Sequence, residues 1–81
     1  MNELFLEGRG FAKQLQNKIL YLKQLLEYDD IKMYDIFIKE KINIIFTSGV
    51  NYYLFEINYN DFMKVKISVL RDYIKANILE V

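Results

Sequence analysis

The sequence predicts an α+β domain: an N-terminal amphipathic helix, an antiparallel β-meander of three or four strands, and a C-terminal helix. Three patterns carry that prediction. Leu15, Ile19, Leu22 and Leu26 recur at helical spacing and stack on one face. Residues 42–57 fold back about Gly49-Val50 so that large apolar residues meet along the whole length. Leu70, Tyr73, Ile74, Ile78 and Val81 share one side of a terminal helix.

The first helix runs from Phe11 to Tyr28. Lys13, Gln16, Asn17, Lys23, Gln24 and Glu27 fill its polar side. Gly8-Arg9-Gly10 sets its start and Asp29-Asp30 its end. Tyr21, Leu25 and Tyr28 form a second stripe that widens the apolar face. The helix is expected to pack on the sheet, with pairing to its twin in a dimer as the alternative. In residues 31–41, Tyr34, Ile36 and Ile38 would face Phe46, Ile44 and Ile42 across a Lys39-Glu40-Lys41 loop. A short helix capped by Asp29 or Asp30 competes with that strand.

The hairpin comes next. Glycine at the first central position of a two-residue loop suits a type II′ turn. The pairs then fall as Phe46 with Tyr53, Ile44 with Phe55 and Ile42 with Ile57 on one face. Thr47 with Tyr52, Ile45 with Leu54 and Asn43 with Glu56 take the other. A slip of one residue would send every apolar side chain to the wrong face.

Beyond it, a loop at Asn60, Asp61 and Phe62 would pair Tyr59 with Met63, Ile57 with Val65 and Phe55 with Ile67. The outer face would then oppose Asn58 to Lys64 and Glu56 to Lys66. Val65, Ile67 and Val69 at period two favour this fourth strand. The competing reading is one helix from Asp61 to Val81, which puts Lys66 inside the apolar arc.

Composition narrows function. The 81 residues form one domain, 1–81, and are 53% hydrophobic. A domain of that size buries only about 60–65% of the surface of its unfolded chain, so apolar area is left for a second chain to cover. A homodimer is expected. Eleven basic residues balance eleven acidic ones, which removes the basic footprint of most nucleic-acid binders.

The chain has no histidine and no cysteine, hence no imidazole base, no thiol nucleophile and no zinc site of N and S ligands. Ser48 and Ser68 lack a nucleophile-elbow context. Glu27, Asp29, Asp30 and Asp35 lack the alternation of a calcium loop, and Gly8-Arg9-Gly10 is too short for a phosphate fingerprint. The expectation is a protein that is not an enzyme and uses no cofactor and no metal. MNELFLEGRG has no signal-peptide pattern and no apolar run is long enough to span a membrane, so a cytoplasmic protein without membrane contact is expected. Ile, Lys, Asn, Tyr and Phe supply 40 of the 81 residues. Their codons are AT-rich, an association with phage, viral or plasmid proteins.

What remains is the outer face of the hairpin. Ile45, Tyr52, Leu54 and Glu56, beside Thr47 and Asn43, give an apolar centre with a polar rim, the pattern of a contact surface. The alternative is that the C-terminal helix, or the chain ahead of the first strand, folds over it. The expected function is a self-associating protein-interaction module, an accessory protein of a virus or phage that acts on a host protein. The second reading is a dimeric nucleic-acid-binding regulator that uses Lys64, Lys66 and Tyr52.

Overall fold

In a computed structural model of the chain, residues 10–79 are described. They form α1 (Gly10–Glu27), β1 (Lys32–Ile38), β2 (Ile42–Ser48), β3 (Asn51–Ile57), α2 (Tyr59–Lys64) and α3 (Ile67–Leu79). The α+β architecture is the one expected. Gly8, Arg9 and Val81 lie outside the described residues, and Gly10 is the first residue of α1.

The strands form an antiparallel meander in the order β1-β2-β3. The β2–β3 register is the expected one on both faces, from Ser48 opposite Asn51 to Ile42 opposite Ile57. Gly49 has φ +62° and Val50 does not share that positive φ. This separates a II′ turn from I′, which needs positive φ at both centres. β1 is a strand, with Ile36 opposite Ile44 and Ile38 opposite Ile42. Tyr34 departs from expectation. A bulge between Met33 and Asp35 puts Met33 opposite Phe46, and Tyr34 is 74% exposed. The extra residue of a bulge shifts everything beyond it by one.

All three helices lie on one side of the sheet. α1 packs against β1 and α3, and α3 against β2 and β3. Leu15, Ile19, Leu22 and Leu26 of α1 close over Ile42, Ile44, Phe46 and Phe55 of the sheet, with Leu70, Ile74 and Ile78 of α3 completing the core. Phe55 carries a run of ring contacts, 6.3 Å to Phe46, 6.4 Å to Tyr53 and 6.1 Å to Tyr73 in an edge-on pose, all in the favourable range. Two apolar expectations are corrected here. Tyr21 and Tyr28 stay outside the core and Leu25 is only half-buried, because the Leu15–Leu26 seam alone fits the space. Tyr73, placed with the buried side of α3, is about half exposed.

The fourth strand is not formed. Residues 59–64 and 67–79 are helical, broken at Val65-Lys66, so the Asn58–Lys64 and Glu56–Lys66 cross-strand pairs do not exist. Two local causes decide it. The Asn58 side chain caps α2 by accepting from the Asp61 N–H at 2.8 Å and donating to the Asp61 carboxylate at 3.0 Å. Phe62, a loop residue in the strand reading, is instead fully buried. The single long helix is also excluded. The break lets Lys66 face solvent, where one continuous helix would have turned it into the apolar arc.

The break leaves carbonyls at the end of α2 without helical partners. Lys18 of α1 supplies them. Its ammonium donates to the carbonyls of Met63 and Val65 and stands 5.5 Å from the centre of the Phe62 ring. Burial lowers its pKa. Lys18→Ala is therefore expected to cost about 1.5–3 kcal/mol, the range for hydrogen bonds to a charged group. Urea denaturation measures it. A change no larger than that of Lys13→Ala, on the exposed side of α1, would remove this role from Lys18.

Candidate functional site

The sheet has a second face, and among the described residues no helix or loop covers it. Side chains alternate along a strand, so each residue opposite a core pair's neighbour points away from the helices. The ladder fixes three rows on this face. Asp35, Ile45 and Leu54 form the central row, Phe37, Asn43 and Glu56 one flank, and Lys32, Thr47 and Tyr52 the other. The C-terminal helix, the alternative cover, packs on the opposite face.

Four of the expected residues therefore share one surface. Ile45 and Leu54 are direct cross-strand partners, with Leu54 45% exposed and Ile45 half-buried on the middle strand. Tyr52 is 71% exposed and sits diagonally from Ile45, at a separation of about 7–8 Å between such neighbours. Glu56 is exposed at the rim.

The structure adds Phe37, which the sequence reading passed over. It is 39% exposed and diagonal to Ile45 from the other side, so Ile45 is the hub of a strip from Phe37 to Tyr52. A signal existed: once Ile36 and Ile38 are assigned inward, period two sends Phe37 outward. Asn43 is the buried polar residue of the face, 7% exposed. Its amide donates to the Lys41 carbonyl at 2.9 Å and the Phe37 carbonyl at 3.5 Å, which ties the β1–β2 loop down beside the strip. Lys32, Asp35 and Glu56 give the rim charges of both signs.

The residues of the nucleic-acid reading do not come together. Lys64 ends α2 and Lys66 lies in the break before α3, both beyond the far end of β3. Tyr52 stands at the hairpin end, about 17 Å of strand away.

Among the described residues no cluster of three or more carboxylates is placed to hold a metal ion. Asp29 pairs with Lys75 at 3.4 Å, and Asp35 accepts from the Ile36 N–H at 2.9 Å. Tyr53, on the helix side, is pushed up to about 12, first by burial and then by the Tyr73 hydroxyl and nearby Glu56. It stays protonated at neutral pH. No helix among the described residues is long and apolar enough to cross a membrane. No family model, curated protein or solved structure matches the chain.

Proposed function

We propose that this chain is a small non-catalytic protein-interaction module that self-associates and offers the outer face of its sheet to a second protein. The observation that carries the proposal is the one-sided cover of the sheet. Three helices close one face, while Phe37, Ile45, Tyr52 and Leu54 stay together on the other. Exposed aromatic and aliphatic side chains ringed by polar ones are the anatomy of a contact surface. The AT-rich composition and small size fit an accessory protein of a virus or phage, with a host protein as the second partner.

Phe37→Lys tests the surface. Phe37 is outside the core and lies on the strand farthest from β3, so the variant should fold. Capture from host extract, with nuclease present, should lose the protein that the wild-type chain retains. Retention of the same protein by the variant would contradict the proposal. Loss of the wild-type capture on nuclease treatment would favour the nucleic-acid reading instead.

A further inference from the structure

β3 is an edge strand, since the order β1-β2-β3 leaves its far side without a strand among the described residues. Its direction of bonding follows from the turn. The two-residue loop closes on Ser48 and Asn51, so Asn51, Tyr53, Phe55 and Ile57 bond to β2. The N–H and C=O groups of Tyr52, Leu54 and Glu56 therefore point outward. No bulge interrupts β3, and Glu56 is its one charged residue. The other edge differs. β1 carries a bulge, Lys32 and Asp35, and the Asp35 carboxylate already occupies the Ile36 N–H. Bulges and charges are the devices that stop an edge from pairing. β1 has a bulge and two charges, whereas β3 has no bulge and a single charge near its end.

We propose that two copies of the chain join antiparallel through β3, about a two-fold axis at Leu54, to make one six-stranded sheet. This goes beyond the outer-face reading and shares with it only self-association. Leu54 is the midpoint of Asn51–Ile57, and its backbone groups are among those that point outward. A two-fold there pairs Leu54 with Leu54, and Tyr52 of each copy with Glu56 of the other. Every outward N–H and C=O of β3 then finds a partner. A register shifted two residues either way leaves one of these groups beyond the end of the opposing strand.

Charge agrees with this register. Glu56 meets a tyrosine that can donate to it and does not meet its own copy, whereas like charges directly opposite would repel. The apolar lining agrees too. Val69 and Tyr73 of α3, each about half exposed, line a groove along this same edge with Phe55, Ile57 and Val65. The two-fold sets two such grooves against each other and covers them. It also joins the two outer faces, Ile45 and Leu54 of one copy continuing into Leu54 and Ile45 of the next. Isologous pairing of this kind is the commonest oligomer geometry.

Amide hydrogen exchange on the full chain, measured by NMR across a concentration series, tests the pairing. The outward amides of Tyr52, Leu54 and Glu56 should exchange fast when dilute. They should slow about tenfold once nine-tenths of the protein is dimer, following mass action. Methylating the backbone nitrogen of Leu54 should abolish the dimer and leave the circular dichroism of the fold intact, because that N–H takes no part in the β2–β3 ladder. The outer-face side chains are unchanged in that variant, so partner capture is read separately. A monomer at every concentration, or a dimer whose three outward amides stay fast, would overturn the inference.

Discussion

Phe46→Ala is expected to cost about 3–5 kcal/mol of folding stability, the range for removing a phenyl ring from a packed core. Phe46 lies on the middle strand and is fully buried. Met33 and Tyr53 flank it across the ladder, and the Phe55 ring touches it at a centroid distance of 6.3 Å. Those neighbours are held by the two adjoining strands, so they cannot collapse into the space the ring leaves. A chain of this length has roughly 4–12 kcal/mol in total. The variant should therefore lose a large part of its stability, seen as a much lower urea midpoint at room temperature. Val50→Ala is the control, since Val50 is 97% exposed and surface changes fall within about 0.5 kcal/mol. A loss for Phe46→Ala as small as the control's would mean that β2 does not carry the core.

Leu54→Lys should have the opposite signature, with little effect on the fold and a large one on association. The side chain is 45% exposed and points away from the helices, so the monomer should melt within about 0.5 kcal/mol of wild type. In the dimer the two-fold would set one lysine directly against its copy, and in the outer strip it would place a charge beside Ile45. Like charges directly opposite repel, so sedimentation should show a weakened dimer. A charge desolvated beneath a partner on the strip should cost several kcal/mol of partner association. Phe37→Lys separates the two surfaces, because it touches the strip and not the β3 edge. A Leu54→Lys protein that unfolds would mean the face is covered.

The hairpin was fully legible in the sequence because two constraints agreed on one register: a turn that accepts Gly49, and pairs apolar on one face from Ile42 to Ile57. The buried seam of α1 was legible for a similar reason, its spacing being four leucines and isoleucines long. Residues 63–69 were not. Val65, Ile67 and Val69 gave an apparent period of two, but it came from the end of one helix and the start of another. The Lys18 contacts, made across 45 and 47 residues of chain, help hold the break between them, beside the Asn58 cap and the buried Phe62 ring. Long-range bonds of that kind leave no periodic trace. In the candidate site, Ile45, Tyr52, Leu54 and Glu56 followed from the hairpin alone. Phe37 followed from the expected pairing of Ile36 and Ile38, but only if residues 31–41 form a strand, and a short helix competed with that strand.

The most direct test of the outer face as the contact surface is hydroxyl-radical footprinting of the complex captured from host extract, compared with the free chain. Phe37, Tyr52 and Leu54 should be protected. Tyr21 and Tyr28 on α1, 63% and 87% exposed, should be labelled equally in both. Protection of Tyr21 and Tyr28 with Phe37, Tyr52 and Leu54 still labelled would place the partner on the helical side and contradict the account.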